Sequence, residues 1–216
     1  MTPQQFVSQL STQRSVNAFN PYSDSCKVYD LDNAPAIRSK MLTETLVAAQ
    51  SVELETLWIG RDLGYRGGRR TGLPFTDDVH LSDHGARWGL SVSRPTKGSA
   101  VAERAATVIW SLLEAIDLPI FLWNVFPLHP HEITNPFTNR LHTAAERKLG
   151  LEVLEQLIGL VRPKKLLAIG NDAAKAVETL GTGIEVLRVR HPSYGGQPEF
   201  LRDVRQIYGV RPSGFL

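Results

Sequence analysis

Residues 57–76 read LWIGRDLGYRGGRRTGLPFT, and the order of residue types in this stretch decides the class of fold. Leu57–Gly60 is a short apolar run that stops at a glycine, as a strand buried on both faces does. Gly60–Thr76 holds five glycines, and in it Arg61, Arg66, Arg69 and Arg70 stand against one acid, Asp62. Glycines let a backbone approach a ligand closely and adopt positive φ, and the arginines would suit a phosphate. No Gly-Lys-Ser/Thr follows and no Gly-x-Gly-x-x-Gly is present, so this is neither a P-loop nor a dinucleotide fingerprint. Loops also use glycine simply to turn, so the pattern alone leaves a turn-rich loop and a phosphate-binding loop both open.

Three more apolar runs lie downstream: Pro119–Asn124, Lys165–Gly170 and Glu185–Arg190. Before, between and after these runs the spacing of apolar residues predicts helices over 34–49, 101–117, 143–161 and 199–208. Another is expected to begin at Asn171, acting as N-cap. The glycine- and arginine-rich segment reads as one long loop to about residue 98. Four strands alternating with helices predict a three-layer α/β/α protein around a central four-stranded parallel sheet. In such sheets ligands sit in the crevice beyond the carboxyl ends of the strands. That rule selects Gly60-Arg61-Asp62, Asn124, Gly170-Asn171 and His191.

The chain has 216 residues, 42% of them hydrophobic and 21% charged, which suits one soluble domain over 1–216. Residues 1–33 read as an N-terminal extension of unassigned role. A single cysteine, Cys26, excludes an internal disulfide, a thiolate metal cage and an iron–sulfur cluster held by this chain. Its polar neighbours make it a bystander thiol. The N-terminus lacks the pattern of a secretory signal and no segment is apolar enough to span a bilayer, so the expected location is cytoplasmic. A net charge of +2 says little about nucleic acid. Arg162, Lys164 and Lys165 read as solvated charge. His129 and His131 lie one residue apart with no further ligand cluster, so no metal is expected.

Asn124 closes an otherwise apolar strand, and its amide offers an acceptor and a donor, the complement of a pyrimidine edge. An asparagine satisfying its own turn would look the same. His191 ends the last strand before Pro192, Ser193, Tyr194 and Gly195-Gly196. A histidine there is harder to read as structural than one on a helix face.

Taken in order, these segments resemble the uracil-DNA glycosylase superfamily. GRDLG is similar to its first motif, WNVFPL to its asparagine-containing middle motif, and HPS to its last. Phe75, in TGLPF, falls where the family places an aromatic that stacks on the extruded base. The resemblance covers about 57–208 and mixes the classical and single-strand-selective branches. Asp62 is classical, whereas Leu63 and Arg61 replace a proline and a glutamine common there.

The resemblance implies a monofunctional glycosylase that flips a uracil nucleotide out of DNA and hydrolyses its glycosidic bond in base excision repair. Phe75 would stack on the base, with Gly60 lining the pocket. Asn124 would read N3 and O4. His191 would donate to O2, where charge accumulates, and Asp62 would stabilise the cationic sugar and orient water. Arg66, Arg69, Arg70, Ser193 and Gly195 would meet phosphates, and Tyr194 would fill the vacated stack. Gly64 stands where classical enzymes use a tyrosine against 5-substituents, so space is expected beside C5, with Tyr65 the residue able to enter it. Excision of 5-hydroxymethyluracil is expected with that of uracil. The partner is DNA, with no membrane, no cofactor and a monomeric protein. A catalytically silent DNA-binding relative and an enzyme of free nucleotides are the other readings.

Overall fold

The computed structural model describes residues 1–193 and 195–211. Along the chain the elements are α1 (Pro3–Thr12), β1 (Ala18–Phe19), α2 (Ala34–Gln50), β2 (Thr56–Asp62), α3 (Gly68–Thr71), α4 (Leu81–Trp88), α5 (Arg104–Leu113), β3 (Ile120–Phe126), β4 (His129–Pro130), α6 (Ala144–Val161), β5 (Lys165–Ile169), α7 (Asn171–Glu178), β6 (Glu185–Val189) and α8 (Gln197–Tyr208). The four long strands form a parallel sheet in the order β3-β2-β5-β6, with helices on both faces. The chain therefore has the expected three-layer α/β/α fold.

Strand residues alternate between the two helix layers because successive side chains leave a strand on opposite faces. Leu57, Ile59, Phe121, Trp123, Leu166 and Ala168 point to the layer of α1, α2, α6 and α7. Trp58, Ile120, Leu167 and Ile169 point to α5 and α8. Both faces are covered, so the inner stretches of β2, β3 and β5 are apolar rather than alternating, whereas the edge strand β6 keeps Glu185 and Arg188 exposed.

The sequence reading departs from the structure in four places. The strand read as closing at Asn124 runs on to Phe126, so Asn124 lies inside β3 near its carboxyl end. The segment expected to loop to residue 98 contains α3 and α4. In α4 only Leu81, His84 and Gly85 are buried, too thin a stripe to stand out, and Gly89 ends the helix in the left-handed region at φ 64°. Asn171 is the first helical residue of α7, not its cap; Gly170 holds that position without a side-chain bond. Residues 1–33 are structural parts of the fold. Thr2 and Gln5 form a capping box at α1, whose Phe6, Val7 and Leu10 are buried. β1 then pairs antiparallel with β4. No described helix is long and apolar enough to cross a membrane.

Candidate active site

Parallel pairing of β2 with β3 sets Gly60 beside Asn124 and Asp62 beside Phe126. Gly60 must be glycine, because a Cβ there would collide with the Phe75 ring and with Asn124 Oδ1. Ring and amide thus converge over one bare backbone position. Asn124 is 2% exposed, and no described residue donates to its Oδ1. Leaving such an acceptor unpaired costs about 1–3 kcal/mol. Phe75 has φ 53°, a left-handed backbone that costs a bulky residue about 1–3 kcal/mol. Trp110 holds it there by donating from Nε1 to the Phe75 carbonyl at 3.0 Å.

Asp62, the last residue of β2, is gripped on both carboxylate oxygens. Arg61 Nε donates to Oδ2 at 2.8 Å, and His142 Nδ1 meets Oδ1 at 2.5 Å. Arg61 also bonds Asp172 at 3.0 Å. His142 was not legible as a site residue. It precedes a helix instead of following a strand, so the strand-end rule never reaches it.

His191 follows β6. Burial first, and the Arg61 charge second, push its imidazole down to about 4. The Ser193 N–H donates to its Nδ1 at 3.1 Å, so the proton of the neutral ring sits on Nε2. The turn delivers a neutral imidazole whose Nε2–H has no acceptor among the described residues. Gly195 has φ 79°, and a side chain on Gly196 would strike the His191 carbonyl, so this tip requires its glycines. Tyr194 lies outside the described residues.

The glycine-rich loop divides its arginines. Arg66 is exposed and lies over the Tyr65 ring, donating to its hydroxyl at 2.9 Å. Arg69 and Arg70 are 4% and 6% exposed, which corrects the expectation that they face phosphates. Arg69 stacks on Phe19 at 3.9 Å and donates to Tyr29 Oη and His129 Nδ1. Arg70 pairs with buried Asp78 at 2.7 Å. Neither has a guanidinium face to offer. His129 is committed as well, because its Nε2 faces the Thr138 carbonyl at 2.9 Å. Burial and Arg69 push it down to about 3. Among the described residues no group of three His, Cys, Asp or Glu could hold a metal ion.

The space expected beside Gly64 is filled. A Cβ on Gly64 or Gly67 would collide with the Glu103 carboxylate, which hangs at the start of α5. Glu103's own N–H donates to Asp77 Oδ2 at 2.5 Å, fixing the approach. Burial and the Asp77 charge push the Glu103 carboxyl up to about 7, against the pull of Arg66. No sequence signal marked Glu103, which lies in the first turn of the helix expected over 101–117, nearly forty residues from Gly64. Tyr65 is held nearby through its N–H, which donates to Asn139 Oδ1 at 3.0 Å.

Over residues 50–205 the chain matches the sequence model of the uracil DNA glycosylase superfamily. Its fold is similar to the crystal structure of wild-type SMUG2 from Pedobacter heparinus. The TM-score is 0.66 over 97% of this chain and 98% of that one, at 14% identity. No curated protein matches the chain in sequence.

Proposed function

Since this chain belongs to the uracil DNA glycosylase superfamily, we propose that it hydrolyses the N-glycosidic bond of deoxyuridine flipped out of DNA, as a monofunctional enzyme of base excision repair. One observation carries the reading. The buried, unpaired Asn124 Oδ1 beside a strained Phe75 is what a pyrimidine with an N3–H donor would complete. Uracil on Phe75 donates from N3 to Oδ1 and accepts at O4 from the amide nitrogen.

The chemistry follows from the strand ends. As the bond from C1′ to N1 breaks, negative charge spreads to uracil O2, where neutral His191 donates from Nε2. The sugar becomes cationic, and the Asp62 carboxylate stabilises it. Asp62 also directs a water to C1′, and the proton released ends on the departing base. Donors and charges fixed before reaction act mainly on the transition state, which is where they raise the rate. Arg66, Ser193 and Gly195 lie toward phosphates, and Tyr194 is the candidate wedge. DNA is the partner of a protein acting as a monomer without a cofactor.

Glu103 narrows the expected tolerance at C5. A 5-hydroxymethyl group can donate to its carboxyl, whereas the methyl of thymine cannot and would leave that carboxyl unpaired. The test is incubation with single- and double-stranded oligonucleotides containing uracil, then alkaline cleavage of abasic sites. Strand scission at uracil is expected. Binding without scission would favour a silent DNA-binding relative, and hydrolysis of free deoxyuridine alone would favour a nucleoside enzyme.

A further inference from the structure

We infer that His142 is a positioning residue for Asp62, held in place by a brace running from the N-terminal segment through the loop before α6. The inference rests on the glycosylase reading of Asp62 and adds a residue to it.

The argument begins with what a carboxylate needs. An aspartate acts on a sugar cation and a water only if both of its side-chain torsions are fixed. One donor per oxygen achieves that, and Asp62 has Arg61 on Oδ2 and His142 on Oδ1. The two donors differ in rigidity. The Arg61 side chain is 37% exposed and shared with Asp172, whereas the His142 side chain is 6% exposed. His142 also packs against Phe126, the register partner of Asp62, with ring centroids 6.2 Å apart. The partner of its Nδ1 is a carboxylate, so Nδ1 carries the proton and donates.

The loop carrying His142 is itself pinned. Thr143 and Glu146 form the capping box that starts α6. Glu146, 3% exposed, takes both terminal nitrogens of Arg140 at 2.7 Å and the Ser15 hydroxyl at 2.6 Å. Although burial opposes it, those bonds and the Thr143 N–H hold the Glu146 carboxyl down at about 2. Arg140 reaches back to the carbonyls of Val16 and Asn17. Two residues beyond Arg140 stands His142. The segment before residue 34 therefore bears on Asp62 through hydrogen bonds to Arg140 and Glu146 and the short backbone stretch that joins them to His142.

The test compares His142→Ala with His142→Asn, whose amide nitrogen restores a donor near the Nδ1 position. Misdirecting a reacting group by about 1 Å costs up to about 100-fold. The alanine variant is expected to lose about 10- to 100-fold in single-turnover rate with unchanged affinity for uracil-containing DNA, and the asparagine variant to recover most of it. A wild-type rate in the alanine variant overturns the inference, as does an asparagine variant as slow as alanine. A readout independent of turnover is the low-field imidazole proton of His142, expected in the wild-type NMR spectrum and absent from Asp62→Ala. If wild type releases no uracil the functional reading fails, yet this resonance still reports whether His142 holds Asp62, and its absence overturns the brace.

Discussion

The two strand ends that carry Asp62 and His191 are built in opposite ways. β2 is a central strand, and its terminal aspartate is held by His142, 80 residues further along the chain. β6 is an edge strand, and its histidine is set by the Pro192-Ser193 turn that immediately follows. The nearby Arg190–Glu199 pair is half exposed on both sides. The Asp62 end needs a residue far along the chain as well as its neighbour Arg61, whereas the orientation of His191 is set chiefly by the residues that follow it. Loss of a distant contact should therefore injure the Asp62 side and spare the His191 side.

Removing the groups themselves should have the largest effect and treat both sides alike. Asp62→Asn and His191→Ala are each expected to lower single-turnover rates about 100-fold or more, with DNA affinity little changed. Near-normal rates in either variant would take that strand end out of the mechanism.

Removing their supports should separate the two. Arg140→Ala leaves buried Glu146 without its ion-pair partner, and urea unfolding should show a loss of about 2 kcal/mol, discounted for the partial exposure of Arg140. Glu199→Ala, on the β6 side, should cost below about 1 kcal/mol. Equal losses would break the comparison.

A smaller effect sharpens the β2 side. Glu103→Ala removes the carboxyl beside Gly64, and discrimination between 5-hydroxymethyluracil and thymine should fall about tenfold. The measurement is scission of oligonucleotides carrying each base. A wild type that ignores hydroxymethyluracil, or a variant with unchanged discrimination, would remove Glu103 from base choice.

A separate expected effect concerns pH. Burial is the leading cause that pushes His84 down to about 4, and His129 and His191 to about 3 and about 4. Each is neutral when folded and titrates near 6.5 when unfolded, so falling pH protonates the unfolded chain first. Their contribution is complete above pH 6.5 and is lost as pH falls through about 4. Melting temperature should decline over that window, while turnover shows no limb near 6.5 from His191. A flat melting temperature from pH 7.5 to 4.5 would show these imidazoles to be accessible.

The sheet and its strand ends were legible because they are local signals. Runs such as LWIG and KLLAIG announce buried strands whatever surrounds them, and a parallel sheet sends its ligands to their carboxyl ends. Asp62, Asn124 and His191 follow from that rule alone. Even the His191 turn is written in its own residues, Pro192 to Gly196.

Partners drawn from far along the chain were not legible. Arg69 and Arg70 look like phosphate ligands in sequence, yet Arg69 is buried against Tyr29 and His129, 40 and 60 residues away. Gly64 looks like open space until Glu103 folds onto it. His142 has no motif, and only the docking of its loop beside β2 brings it to Asp62. Periodicity and turn chemistry act over a few residues, so the sequence by itself determined the four strands of the parallel sheet, most of the helices that cover it and the residues near the strand ends. Burial and hydrogen-bond pairing act through space, so only the tertiary structure decided which charges face outward and which side chain holds the Asp62 carboxylate.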